Sequence, residues 1–239
     1  MEDEIIKNSG QIFRKLKEND GIFGKIRSIV GEVLVIGFAV SFSIWINQWA
    51  EHRKEQQDVQ DFFQTLKDEL DSDWQEMERC RLEVESADSS NTLLLSLDEK
   101  SLDSIKRNNI SMEFNSTPII RRAHSAGYEG FKTSGHLVHI EDAALRRDIM
   151  NYYEVLMPSL QHIEELYSTR CLHSIDLIFN RVAEKGKDAL LEKRIKYDLN
   201  LSIQFGKGLP DSYKNFQQKI SSIQLAIRKD SAERAGFLN

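Results

Sequence analysis

Hydrophobic positions change pattern once along this chain. From Ile29 to Trp49 they are almost continuous, and from Trp49 onward they recur at helical spacing. A helix of the length of the first stretch reaches about 31 Å, close to the roughly 30 Å hydrocarbon core of a bilayer. The stretch therefore predicts a transmembrane helix over 29–49. Its uninterrupted apolar part, Val33 to Ile46, covers only about 21 Å, which places Glu32 and Asn47 near the two edges. Two readings fit Glu32. It sits at headgroup depth, or it points into a helix–helix contact, since an ionisable group inside a span is costly. Gly37 and Ser41 offer small residues for such a contact, with Asn47 as a polar candidate. Trp45 and Trp49 suit an interfacial aromatic belt. The shorter apolar run also fits a buried core helix. Asn47, Gln48 and Trp49 follow the run instead of a small-x-small cleavage site, which favours a retained signal anchor over a cleaved signal peptide.

Beyond the span, Val59, Phe63, Leu66, Leu70, Asp73, Met77, Cys80 and Val84 alternate spacings of four and three. They fall on one helix face, and the register extends back through Trp49, Trp45, Phe42 and Phe38. The simplest geometry is one helix leading from the span into a stalk. Its apolar face either packs within the chain's own bundle or pairs with a second copy as a coiled coil; Asp73 interrupts a perfect zipper. A polar break is expected at Asp88–Asn91 and a loop with a small helix near Leu102 and Ile105. A helix from Pro118 to Thr133, begun by Ser116-Thr117-Pro118 and stopped at Gly135, comes next. A short extended connection, His136 to Ile140, leads to a long helix begun by Glu141-Asp142 and carrying Leu145, Ile149, Tyr152, Tyr153, Leu156, Leu160, Ile163 and Leu166. Pro158 should kink or divide that helix. Gly186 interrupts the pattern after Val182, Leu190 to Phe205 is helical, and Gly206, Gly208 and Pro210 mark a turn before a last helix over 212–235. Period-two patterns are nearly absent, so the fold class is all-α: a single N-terminal transmembrane helix, a stalk and a helical bundle over 50–239.

Charge adds an orientation. Arg14, Lys15, Lys17, Lys25 and Arg27 precede the span, against Arg53, Lys54 and Lys67 after it. The basic bias puts residues 1–28 in the cytoplasm and the bundle outside it. Ile12, Phe13, Leu16, Ile22, Phe23 and Ile26 among those basic residues suit a short interfacial helix, broken at Gly21 and Gly24. The first 49 residues balance six basic against six acidic side chains, so the formal charge of −6 belongs to the rest. An acidic bundle without a basic stripe argues against nucleic acid as a partner. Cys80 and Cys171 lack metal or redox spacing; outside the cytoplasm they could form a disulfide, and inside it they are buried thiols.

Chemical motifs are sparse. There is no phosphate loop, no Gly-x-Ser-x-Gly elbow and no His-Glu-x-x-His helix. His124, His136 and His139 lie close in sequence near Glu129, Glu141 and Asp142, but no paired motif supports a metal site there. No cofactor and no catalytic residue is expected.

Gly31-Glu32-Val33-Leu34-Val35-Ile36-Gly37, leading to Asn47-Gln48-Trp49-Ala50-Glu51, resembles the anchor of an uncharacterised family of bacterial single-pass membrane proteins. Ala126-Gly127-Tyr128-Glu129-Gly130-Phe131-Lys132-Thr133-Ser134-Gly135, followed by Leu145-Arg146 and Tyr152-Tyr153, is similar to that family's aromatic-to-Ser-Gly turn and Leu-Arg helix. The resemblance implies an inner-membrane location and a helical domain, and it brings no activity. For Tyr128, Ser134, Gly135, Arg146 and Tyr153 a structural role is expected: a left-handed glycine stop, two tyrosines packing across helices, and Arg146 paired with an acid on the neighbouring helix. The leading expectation is a non-enzymatic membrane-anchored scaffold or interaction protein, held in the lipid bilayer and self-associating or bound to a membrane-protein partner. An extracytoplasmic sensor-like ligand-binding module is the alternative, and a metal-dependent enzyme a third. A ligand pocket lined by Tyr128, Arg146 and Tyr153 would favour the sensor, and a packed core there the scaffold.

Overall fold

The computed structural model describes the backbone of residues 2–108, 110 and 114–237, and the side chains of 33–108, 110 and 114–233. The elements are α1 (Glu2–Leu95), α2 (Glu99–Arg107), α3 (Ala126–Thr133), α4 (Ala143–Asn151), α5 (Met157–Lys185), α6 (Lys193–Gly206) and α7 (Leu209–Phe237), with short 3₁₀ turns at His136–His139 and Gly186–Leu191. Among the described residues there is no strand, so the all-α expectation holds. The chain forms two compact units, Met1–Gln56 and Gln57–Asn239.

α1 is longer than its sequence suggests. It runs through Gly21 and Gly24, where a break is expected, because a helical glycine costs only about 1 kcal/mol each. It also runs through Asp88–Asn91. There the Ser89 and Thr92 hydroxyls donate back to the carbonyls of Glu85 and Asp88, at 2.8 and 2.7 Å, while Ala87 and Asn91 turn inward. α1 ends without a basic residue in its last turn. Lys196 of α6 supplies the cap instead, donating to the carbonyls of Leu95 (3.2 Å) and Leu97 (2.6 Å). α2 starts on a capping box, with Asp98 accepting from the Ser101 amide and the Ser101 hydroxyl accepting from the Asp98 amide.

The second unit buries two apolar clusters. One joins the α1 face from Val59 to Val84 with Tyr128, Tyr152, Leu160, Tyr213 and Ile220. The other joins Leu94 and Leu97 to Leu177, Ile178, Ile195 and Leu199. Every heptad position from Val59 to Val84 is buried, Asp73 included. The face therefore packs in the chain's own bundle, the first of the two readings.

Several local expectations are corrected. The segment before α3 is irregular over 115–125, and the helix begins only at Ala126. Side chains of other helices satisfy the segment's backbone: Ser168 Oγ accepts from the Ile119 amide at 3.0 Å, and Asp73 Oδ1 accepts from the His124 amide at 3.1 Å. His136–His139 is a 3₁₀ turn, not an extended connection. α4 starts where expected, because the Asp142 carboxylate accepts from the amides of Ala144 and Leu145. The expected division falls just before Pro158: a π-helical turn, Tyr152–Leu156, parts α4 from α5, whose first turn absorbs the proline's missing N–H. On α5 the inner face carries Leu160, Glu164, Tyr167, Cys171 and Ser174. Ile163 and Leu166, expected inside, are exposed.

Candidate functional site

In the first unit, every described side chain from Val33 to Lys54 is exposed, Trp45, Asn47 and Trp49 among them. The most apolar 18-residue window of the helix has a mean hydropathy of 1.6, and none of it is buried against protein. The helix is thus long and apolar enough to cross a membrane. Phe38 stacks on Phe42 at 5.8 Å and Phe42 on Trp45 at 5.9 Å, while the Arg53 guanidinium lies 4.9 Å from the Trp49 ring. Gly37 opens onto free space, with no atom within 4 Å of an added Cβ, and Ser41 is exposed nearby. The side chains of Glu32 and of the leader lie outside the described residues.

The second unit holds a set of buried polar groups whose roles the sequence does not announce. Asp73, on the heptad face, is fully buried. Its Oδ1 takes the amide and the Nδ1 of His124 at 3.1 and 3.0 Å, and its Oδ2 takes the Tyr152 hydroxyl at 3.1 Å. This orients the imidazole, but among the described residues the His124 ring bonds Asp73 alone, so no hydroxyl or thiol nucleophile stands on it. A second centre pairs Arg121 with Glu164 through two bonds, 2.8 and 3.1 Å, with side chains 1% and 7% exposed. The Tyr213 hydroxyl donates to the same carboxylate at 2.9 Å. Burial, reinforced by neighbouring carboxylates, raises the phenols of Tyr128, Tyr152, Tyr153 and Tyr213 far above their ordinary range, so all four stay donors.

The family-motif residues fall into place unevenly. Tyr128 and Tyr153 stack at 4.4 Å with an interplanar angle of 8°, and both are buried. Their hydroxyls reach Glu154 (2.6 Å) and Glu69 (3.5 Å). Gly135 adopts φ 78°, the left-handed stop expected of it, and the Ser134 hydroxyl donates to the Phe131 carbonyl at 2.9 Å. Arg146 departs from expectation. It donates to the carbonyls of Val138 and Ile140, both at 3.1 Å, and so pins the 3₁₀ turn against its own helix instead of pairing with an acid. The three side chains Tyr128, Arg146 and Tyr153 do not converge on one pocket.

Gly127 marks a close approach. Its amide donates to Glu69 Oε1 at 2.6 Å, and an added Cβ would stand 2.6 Å from the Thr65 methyl.

Cys80 and Cys171 are both buried and both free, so the disulfide considered from sequence is not formed. They serve as small apolar core residues, and burial pushes the Cys80 thiol up to about 11. The histidines do not assemble a metal site: among the described residues no group of three or more His, Cys, Asp or Glu could hold an ion. His136 packs edge-on against Phe131 and His139. A cavity of about 300 Å³ is lined by Leu94, Phe114, Ile178, Phe179, Val182, Lys187 and Leu190. Its one charged group, Lys187, donates to the Ile110 carbonyl at 3.0 Å.

Of all these groups, the Asp73–Tyr152 bond and the separate Arg121–Glu164–Tyr213 centre are what sequence reasoning missed. The one signal was an aspartate placed on an apolar heptad face. No family model matches the chain, and neither a curated protein nor a solved structure matches it. The class its fold defines is an all-α protein with one helix fit to span a bilayer.

Proposed function

We propose that this chain is a non-enzymatic, single-pass membrane protein of the bacterial envelope, a scaffold or interaction module displayed on a helical anchor. The observation that carries the reading is the apolar surface of α1 from Val33 to Trp49, exposed among the described residues. A surface of that size on a helix of that length is stable in lipid and unfavourable in water. The basic bias supports a cytoplasmic N-terminus in the inner membrane and a periplasmic bundle. The packed, bonded Tyr128–Tyr153 pair supports the scaffold over the sensor. Ile163, Leu166, Leu172 and Phe179 stand exposed on α5, which supports docking to a partner. Because the α1 heptad face is already buried, self-association would use other surfaces, Gly37 and Ser41 of the span among them.

Fusion of alkaline phosphatase, and separately of a cytoplasm-dependent fluorescent protein, after Asn239 tests the topology. Active phosphatase with a dark fluorophore is the expected result, and the reverse pattern would place the bundle in the cytoplasm. A second reading, a sensor for a small apolar ligand, rests on the cavity beside Phe179. Saturable binding of an apolar dye, abolished by L190W, would favour it.

A further inference from the structure

The boundary between the two apolar clusters is polar. Asp88 Oδ1, Asn91 Oδ1, Arg170 Nε and Asp198 Oδ2 are buried there without a hydrogen-bond partner among the described residues, and Ser116 Oγ meets only the Cys171 thiol. Asn91, Ser116 and Asp198 are 2%, 5% and 4% exposed. These groups come from α1, the 115–125 segment, α5 and α6. On one side lie Tyr167 and Cys171 of the first cluster, and on the other Leu177, Ile178 and Leu199 of the second. Ser174 and Ser202 bond each other across α5 and α6 at 2.6 Å. Buried polar atoms are nearly always satisfied, by protein or by ordered water, so such a concentration of orphans marks a layer that takes up water or protons.

Among the described residues, Asp88 is the titratable member of this layer without a counter-charge. α5 presents Tyr167 and Cys171 to it, both held neutral by burial. α6 presents bare backbone at Gly206, where an added Cβ would stand 2.9 Å from Asp88 Oδ1 and 3.1 Å from Tyr167. The 115–125 segment presents Ser116. Arg170 is committed to Asp198, which His173 also approaches at 3.6 Å. On Asp88's own helix, Glu83 is paired with Arg79 and Glu85 with Arg81.

We propose that this layer is a pH-sensitive joint: a proton on Asp88 closes α6 onto α1, and loss of that proton admits water and loosens α6. Burial raises the Asp88 carboxyl from 3.8 to about 6, which agrees with the geometry. The native state then keeps its proton up to about 6 while the unfolded chain releases it near 3.8. Proton linkage makes the joint tightest at the acid end, weaker as pH rises between those values, and level above them.

Hydrogen–deuterium exchange of the full chain in detergent, corrected for intrinsic rates and run between about pH 4.5 and pH 7.5, tests this. Protection of the amides in Lys193–Gly206 should fall on the order of tenfold as pH rises from about 4.5 to about 6 and stay level above that. D88N should stay protected across the range, and H173Q should keep the wild-type transition. A pH-independent wild type, a transition that persists in D88N, or one that is lost in H173Q would each overturn the proposal. Should D88N fail to fold, wild type against H173Q still decides it.

Discussion

Gly127 shows how a single residue can reverse an ordinary rule. Replacing a helical glycine by alanine usually stabilises by up to about 1 kcal/mol. Here the new methyl would press on the branched side chain of Thr65 at 2.6 Å and on Glu69 at 3.2 Å. G127A is therefore expected to lower the thermal midpoint, and G130A, with open space at its Cβ, to leave it unchanged or raise it. Parallel melting curves of the two variants check the sign. Arg121 and Glu164 make a second residue-scale case. Truncating one partner of a buried ion pair strands the other, at about 3–5 kcal/mol. R121A should lose that much in denaturant unfolding, whereas the double change R121M with E164M should cost far less. The buried thiols give a third. With Cys80 pushed up to about 11, little thiolate exists at neutral pH. A maleimide reagent should leave both cysteines unlabelled in the native protein and label both after denaturation; a mobility shift on reduction would reveal a bridge instead.

At the scale of elements, helix ends decide more than helix interiors. The starts at Asp98 and Asp142 and the stops at Gly135 and Gly186 follow from local rules: a short polar side chain accepts from the first amides, and a residue without Cβ takes positive φ. The end of α1 follows a different logic, because its cap, Lys196, lies about a hundred residues downstream. K196M should free the carbonyls of Leu95 and Leu97 and cost about 1.5–3 kcal/mol, the range for a bond to a charged donor. Faster amide exchange confined to the last turn of α1 and the start of α6 is the expected signature. The irregular 115–125 segment obeys the same logic. Ser116-Thr117-Pro118 is a fitting helix start by composition, yet the chain stays irregular because Ser168 and Asp73 offer its amides better partners than a new helix would.

For the molecule as a whole, the balance lies between an apolar helix exposed among the described residues and a bundle that buries its own heptad face. The exposed apolar surface is densest from Val33 to Trp49, and in the second unit it is scattered, Ile120, Val138, Leu172 and Phe179 among others. Placing two lysines in the span, V35K with F38K, adds about 5–7 kcal/mol to insertion if both sit near the centre. That double variant should shift the protein from the alkaline-resistant membrane pellet to the soluble or degraded fraction. Unchanged pelleting would point to attachment through the bundle.

What the sequence alone determined is whatever repeats within one or two helical turns. That includes a helix long and apolar enough to cross a membrane, the all-α class, the inner face from Val59 to Val84, the Asp142 cap, the Gly135 stop and the turn at Gly206–Pro210. Each rests on neighbours three or four positions apart or on the torsional freedom of one residue, and both are written locally. Only the tertiary structure decided the rest. It made Asp73 a bonded core residue, turned Glu164 inward and Ile163 outward, sent Arg146 to backbone carbonyls, left the cysteines apart as thiols and opened a polar layer at Asp88. Apart from Arg146, whose carbonyl partners lie eight and six residues away, the bonded outcomes join groups about thirty to eighty residues apart, as the Arg170–Asp198, Arg121–Glu164 and Asp73–Tyr152 pairs do. A buried charge takes whichever partner the packing brings within reach, and no local pattern encodes that encounter.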